Sequence, residues 1–299
     1  MNTLHESSVS DHDQAVAQYY GEATPGFYIR GWNPDHIHFG LFEDGECPEE
    51  GESLADSAGL ARAVVRMIDV IVAPAAIGAG DHVVDAGCGI GGTAMHLVKT
   101  RGCTVTGVNI CRPQLEIAEK KVRDAGLDDR IGFTYGDCSQ HLPFADGSID
   151  VVTNIESACH YGDRGQFLRE VARILKPGGR IVAMDWAQCD GVPADLHKRY
   201  IEPLCRHWLI RSLESRSSYA ERLRESGLTV IEVDGFGGKD EGNIRLLEYA
   251  YRLLFMLWFG GMSTERHRML MDQLQTLSMA WRDGCFELAR YCAEKPENT

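Results

Sequence analysis

The sequence predicts an α/β protein: a seven-stranded, doubly wound sheet with helices on both faces. Three observations carry this. Short β-branched runs alternate with helical segments between residues 82 and 186, the pattern of strand–helix–strand units in a parallel sheet. A glycine-rich turn, Gly87-Cys88-Gly89-Ile90-Gly91-Gly92, separates the first such strand from the first such helix. Of 299 residues, 44% are hydrophobic and 25% charged, enough apolar side chain to bury a full core.

The elements follow in order. The first ten residues are polar and read as a disordered start. Residues 14–42 are dense in aromatics (Tyr19, Tyr20, Phe27, Tyr28, Trp32, Phe39, Phe42) but hold no clean helical or strand period. An acidic loop covers 43–52, and 55–73 reads as an amphipathic helix that Pro74 stops. Strands are predicted at 82–86, 104–108, 131–135, 149–154 and 180–186, with helices at 92–100, 112–124 and 164–175 between them. Beyond Asp190 the pattern loosens into helices at 194–211 and 217–226, a strand at 229–234, helices at 243–259 and 264–280, and a closing strand at 285–291. The division expected is an N-terminal lid segment, 1–54, and a core, 55–299. Segments 190–228 and 241–280 form the substrate-side helices of that core.

Charge narrows the partners. With 44 acidic against 30 basic residues the net charge is -14, and no tract of Lys or Arg occurs. Nucleic acid is excluded, because binding it rests on neutralising phosphates. The ten cysteines are scattered with no C-x-x-C pair. Together with the lack of a signal peptide they point to reduced thiols in a cytoplasmic protein. The most apolar stretch, 253–262, is about half the length that spans a bilayer. It reads as a buried helix or pocket wall; a homo-oligomer contact is the other use for it.

The strongest motif is Val83-Val84-Asp85-Ala86-Gly87-Cys88-Gly89-Ile90-Gly91-Gly92. A strand ends in an acid, a glycine turn follows, and a helix begins. Glycines let a ligand approach the backbone closely. The spacing differs from the G-x-G-x-x-G of dinucleotide sites, and an acid two residues before the first Gly would repel a pyrophosphate. Gly136-Asp137-Cys138 and Leu142-Pro143-Phe144 follow the third strand, and Lys176-Pro177-Gly178-Gly179 precedes the fifth. In this order the motifs resemble the class I S-adenosylmethionine-dependent methyltransferases, whose sheet is Rossmann-like, over residues 55–186. The resemblance implies that Gly87 and Gly89 pack on the methionine part, that Asp85 lies near its ammonium group, and that Asp137 accepts from the adenine amino group. It adds Ile110, Cys138 and Asn154 to the cofactor-binding set. One position departs from the family: the second strand usually ends in an acid that grips the ribose, and here Asn109 stands instead, with Gln114 able to assist.

After the fourth strand comes Asn154-Ile155-Glu156-Ser157-Ala158-Cys159-His160. This stretch resembles the sterol, tocopherol and geranyl diphosphate methyltransferases. Asp35-His36-Ile37-His38-Phe39-Gly40 and Trp281-Arg282-Asp283-Gly284-Cys285-Phe286 are similar to the last of these, and the aromatic N-terminal passage also resembles glycine-betaine-type N-methyltransferases. Glu156 suits methylation of an isoprenoid alkene, in a prenyl diphosphate or a terpenoid: the π bond attacks without a base, and a carboxylate then stabilises the carbocation and takes a proton. Aromatic faces shield such a cation, and Tyr28, Trp32, Trp186, Tyr200 and Trp208 are the candidates, with His36 and His38 as further substrate contacts. The competing reading is an O- or N-methyltransferase of a natural-product pathway with His160 as general base. A diphosphate would need a local patch from Arg30, His36, His38, Lys198, Arg199, Arg206 and Arg211, or Mg²⁺ bridging phosphate and carboxylate. No metal-ligand set is evident from spacing alone.

Overall fold

The computed structural model describes residues 10–49, 51–236, 241–259 and 265–297, with side chains 254–267 outside the description. The polar start, residues 1–9, also lies outside it.

Seven strands, β1 (His82–Ala86), β2 (Thr104–Asn109), β3 (Ile131–Tyr135), β4 (Ile149–Ile155), β5 (Leu175–Gln188), β6 (Thr229–Gly235) and β7 (Phe286–Glu294), form one sheet in the order β3-β2-β1-β4-β5-β7-β6. β1 to β5 run parallel, and β7 lies antiparallel between β5 and β6. The strands alternate between two cores: Val83, Val151 and Val182 face one, Val84, Val152 and Ile181 the other. Burial on both faces is what turns these strands into short, nearly continuous apolar runs.

The chain enters through α1 (Asp11–Ala23) and α2 (Ile29–Gly31), then α3 (Ala58–Val72), capped by Ser57 Oγ accepting from Leu60 N at 3.2 Å. α4 (Gly92–Arg101), α5 (Arg112–Asp124) and α6 (Arg164–Ile174) connect the parallel strands. Past β5 come α7 (Ala194–Leu196), α8 (Glu202–His207), α9 (Arg216–Glu225), α10 (Glu241–Phe259) and α11 (Glu265–Arg282).

Three differences from the sequence reading have physical causes. The N-terminal segment expected to lack a period, 14–42, is helical as far as residue 31 and irregular beyond it. Asp13, Val16 and Ala23 are the buried positions of α1, a helical spacing that an acid among them hides from a hydrophobic pattern. The single helix expected over 194–211 is three pieces. Pro203 has no N–H for the carbonyl four residues back, and a π-turn, His197–Ile201, takes up the slack before α8. Pro25 has the same consequence after α1, where a π-turn spans Thr24–Tyr28. β5 begins at Leu175 rather than 180, because Leu175 pairs with Ile149 across a register shift. Of the apolar stretch 253–262, the backbone is helical to Phe259 and the rest lies outside the described residues.

The order of strands puts the sheet's switch point between β1 and β4, whose connections leave in opposite directions. Open α/β sheets bind ligands outside the carboxyl ends at such a point. Residues 31–42 lie across these ends. A Cβ on Gly92 would fall 2.1 Å from Asp35 O, so the segment touches the start of α4 backbone to backbone.

Candidate active site

One cavity opens at the carboxyl ends of β1 to β4. Its floor is the turn after β1. Gly87 has φ +77° and no room, since a Cβ there would lie 1.8 Å from Ser157 Oγ. Gly89, at φ +53°, is the opposite case: it lines the cavity, and no atom would stand within 4 Å of its Cβ. The amides of Gly87 and Cys88 both donate to Val108 O, at 2.8 and 3.1 Å, which pins the turn to β2.

Asp85, Asn109, Ile110, Gln114, Asp137 and Cys138 stand around this floor. Asp85 Oδ1 accepts from Thr153 Oγ1 at 3.0 Å, while Oδ2 is buried without a partner. Burial pushes the Asp85 carboxyl up to about 7 against the pull of that hydrogen bond. Asp137 Oδ1 accepts from Ser139 N at 2.8 Å, its Oδ2 is likewise buried and alone, and burial raises its pKa. Buried acceptors are costly unless satisfied, so both oxygens call for a ligand with N–H groups. Asn109 Nδ2 donates to Gln114 Oε1 at 2.8 Å, and Gln114 Nε2 donates onward to Thr24 Oγ1 at 2.9 Å. The amide pair thus ties the cavity wall to the end of α1.

β4 delivers the next group. Glu156 follows its last residue with φ +48°, a left-handed backbone that costs about 1–3 kcal/mol and tends to mark functional sites. Its Oε1 accepts from Phe39 N at 2.7 Å and its Oε2 from Trp186 Nε1 at 2.8 Å. Both bonds favour the carboxylate, but burial outweighs them and pushes the pKa up to about 8. His160, at the end of the same turn, has Nε2 at 2.9 Å from Tyr20 Oη and Nδ1 facing Leu209 O at 3.5 Å. Burial holds it down to about 4, so the ring is neutral.

A second, smaller cavity adjoins the first, with about 500 Å³ of space. Tyr20, Phe27, Tyr28, Trp32, Phe39, Trp186 and Trp208 line it, and Glu156, His38 and His160 line both cavities. Trp186 packs edge-on against Trp208, with centroids 5.2 Å apart, and lies 5.9 Å from Phe39. Among the described residues no Lys or Arg lines either cavity.

The structure therefore brings together most of the residues singled out from sequence, with three corrections. Asn154 does not line the cofactor cavity. Its Nδ2 donates to Ala86 O at 2.8 Å and Tyr161 Oη at 3.1 Å, and its Oδ1 accepts from Ala158 N at 3.3 Å, so it braces the turn from beneath. Tyr200 does not line the aromatic cavity; its hydroxyl is taken by Asp283, which is what the Trp281–Phe286 passage provides here. The local patch that a diphosphate would need does not gather at the cavities: of its members His36 and His38 line them, while Arg30, Lys198, Arg199, Arg206 and Arg211 do not. Burial also depresses His36 and His38, the latter to about 4, leaving both neutral.

One residue went unnoticed in the sequence. Arg164 is buried and donates to Ala158 O at 2.9 Å, Cys159 O at 3.1 Å and the Glu214 carboxylate at 3.2 Å, clamping the turn that carries His160. The signal for it was a cation in the first turn of a helix, where the dipole disfavours it.

The Methyltransferase domain family matches residues 84–183. Methyltransferase GfsG of Streptomyces halstedii is 36% identical over 218 residues, 73% of this chain and 74% of that protein. The chain is a class I S-adenosylmethionine-dependent methyltransferase. A second relative of this methyltransferase, 27-O-demethylrifamycin SV methyltransferase of Amycolatopsis mediterranei, is 32% identical over 199 residues, 67% of the chain and 61% of that protein. In fold it matches geranyl diphosphate C-methyltransferase from Streptomyces coelicolor with a TM-score of 0.70 at 20% identity, over 97% of this chain and 99% of that one. The cavity suits the cofactor: the open face at Gly89 admits a close ligand, and the lone oxygens of Asp85 and Asp137 match its amino groups. Among the described residues the wall carries five acids and no Lys or Arg, which suits its positive charge.

Proposed function

We propose that the methyltransferase alkylates a carbon–carbon double bond of a neutral, isoprenoid-type molecule seated in the aromatic cavity, with Glu156 taking the proton that the acceptor loses. One observation carries the reading: Glu156 is a half-buried carboxyl shared by the two cavities and ringed by aromatic side chains. S-adenosylmethionine, when bound, supplies an electrophilic methyl group on a sulfonium. An alkene needs no base to attack it, but the carbocation that results must be shielded from water and then deprotonated. The faces of Trp186, Trp208, Tyr28 and Trp32 offer the shielding by cation–π attraction. Glu156, held by Phe39 N and Trp186 Nε1, offers the charge and the proton site.

The wall favours a neutral molecule over a prenyl diphosphate. Burying phosphate charges without partners is prohibitive, and among the described residues neither cavity has a Lys or Arg on its wall. Among the described residues no group of three or more His, Cys, Asp or Glu converges as a metal cage, and no step of this mechanism runs through Mg²⁺.

A second reading has its own observation. An acceptor hydroxyl donating to Tyr20 Oη would let the tyrosine proton pass to His160 Nε2, 2.9 Å away. That relay fits O-methylation, the activity in the name of the rifamycin relative. The two readings separate on labelled cofactor and a panel of neutral terpenoids, sterols, phenols and alcohols. The alkene mechanism predicts label on carbon and a loss of about 10²- to 10⁴-fold in Glu156→Gln, the range for a positioned acid–base group. Glu156→Gln within a few-fold of wild type, together with an inactive His160→Ala and label on oxygen, would replace it with the relay.

A further inference from the structure

The pocket around Glu156 is short of positive charge. Glu156 is half-buried where the two cavities meet, and among the described residues no Lys or Arg lines either cavity beside it. The titratable groups that face it are neutral or acidic. Tyr20 comes from α1, His38 from the segment across the strand ends, Cys159 and His160 from its own turn, and Asp185 from β5. Arg164 also lies near this cluster, but its guanidinium is spent on Glu214 and the carbonyls of the turn. Two N–H donors alone, Phe39 N and Trp186 Nε1, support the carboxylate. That is poor compensation for a full charge out of water. An ionised Glu156 therefore wants a cation, and the cofactor cavity it lines is where one arrives.

We propose that Glu156 reads the charge of the cofactor: it is ionised while the sulfonium is beside it and protonated when the neutral thioether is, so that the site grips the methyl donor and loosens on the spent product. This rests on Glu156 being the proton acceptor, and the charge balance of the reaction then closes. The sulfur–methyl bond breaks with its electron pair staying on sulfur, and the acceptor's π pair forms the new bond to the methyl carbon. An adjacent C–H bond of the acceptor then breaks, its pair restores the double bond, and the proton goes to a Glu156 oxygen. One positive charge leaves the sulfur and one proton reaches the carboxylate, so the pocket is neutral before and after. The raised pKa of Glu156 in the ligand-free protein agrees, since it places the proton on the group near neutral pH.

The test is a count of protons on binding. Calorimetric titration of the protein near pH 7, in buffers of different ionisation enthalpy, is run with S-adenosylmethionine, with the cationic analogue sinefungin and with S-adenosylhomocysteine. Asp85 also titrates nearby, but the methionine ammonium that it would meet is common to all three ligands, so the difference between them isolates Glu156. Both cationic ligands should release up to one proton more than the thioether. In Glu156→Gln this excess should vanish, and the preference for S-adenosylmethionine over S-adenosylhomocysteine should fall by between about twofold and about ninetyfold near pH 7, since a nearby opposite charge lowers a carboxyl's proton affinity by about tenfold to a thousandfold and about tenfold of that goes into releasing the proton from a group held at about 8. Glu156→Asp, which keeps the charge, should retain part of both effects and serves if the amide variant folds poorly. Equal proton counts for all three ligands, or an excess that survives in Glu156→Gln, would overturn the proposal. A proton excess that is present in the wild type and lost in Glu156→Gln, together with normal turnover in that variant, would instead keep the charge sensing and discard Glu156 as the catalytic proton acceptor.

Discussion

At the scale of single residues, two positions on the cofactor cavity make opposite demands. Gly89 is needed for the space it leaves: a branched side chain there would enter the cavity from a backbone at φ +53°. Gly89→Val should abolish S-adenosylmethionine binding in calorimetry, and an affinity near that of the wild type would move the cofactor off this turn. Asp137 is needed for what it accepts, and Asp137→Ala should weaken binding by roughly tenfold to 150-fold, the worth of one charge-assisted hydrogen bond of about 1.5–3 kcal/mol. Glu156 has a cost of its own in the ligand-free protein. Its folded pKa is raised to about 8, above an unfolded value near 4.5. Below that lower value both states hold the proton and nothing is lost. Between the two values the folded state keeps a proton that the unfolded state has released, so stability falls as pH rises, and above about 8 the deficit is constant. Glu156→Gln removes this deficit. Its melting temperature relative to wild type, both without cofactor, should climb from about pH 5 to about pH 8 by the equivalent of a few kcal/mol, because each tenfold difference in proton affinity between the two states is worth about 1.4 kcal/mol. A difference that stays flat with pH would mean that Glu156 is ionised in the free protein.

At the scale of elements, the turn that carries Glu156 and His160 is a short stretch held from three directions. Asn154 supports it from β4, Arg164 from the start of α6, and Leu209, itself at φ +54°, faces His160 from the end of α8. Arg164 and Glu214 are both close to fully buried, at 6% and 12% side-chain exposure. Arg164→Met should cost about 1–3 kcal/mol, because it leaves the buried carbonyls of the turn without their donor, while Glu214 keeps Arg222 and Ser218, each at 2.7 Å. Pairing it with Glu214→Gln should recover little of the melting temperature or of the turnover, since Glu214 is not left alone and the carbonyls of Ala158 and Cys159 would still lack their donor. Full recovery of turnover in the pair would show that the clamp matters to stability alone. The same elements show what local pattern does and does not carry. Strands β1 to β4 were legible to within one residue at either end, because burial on both faces writes itself as β-branched runs between glycine turns. α1 was not, since its buried face includes Asp13 and its polar positions carry tyrosines. The brace at Asn154 was mistaken for a cofactor contact, since the residue type shows hydrogen-bonding capacity but not which neighbour will use it.

At the scale of the whole molecule, the site joins parts that lie far apart in sequence. Glu156 is bonded to Phe39 and to Trp186, 117 and 30 residues away. Phe39 in turn meets Trp281 at 5.4 Å between centroids. The cofactor half of this arrangement could be read from the glycine turn, while the substrate half depends on long-range packing that single-sequence periodicity does not record. Trp208 and Tyr200 look alike as aromatic residues on one helical stretch, yet only Trp208 reaches the cavity. The N-terminal segment is the piece that closes the assembly. Asp13, Val16, Ala17 and Tyr20 of α1, and residues 35–38 after it, form one wall of the cofactor cavity. Lys121 of α5 holds Pro34 O at 2.6 Å and pairs with the Asp35 carboxylate, while Gln114 holds Thr24. We propose that this wall is a lid, opened for exchange of cofactor and shut during transfer so that water is kept from the carbocation. Limited proteolysis should then cut within residues 14–42 markedly more slowly when S-adenosylmethionine is bound, with cuts elsewhere unchanged. Replacing Lys121 by Ala should raise the rate in the free protein while leaving the bound protein protected, because it removes a tie made in this state but not the cofactor beneath. If the rates with and without cofactor are equal, the segment is a fixed wall, and the cofactor must enter by another route past the turn at Gly89.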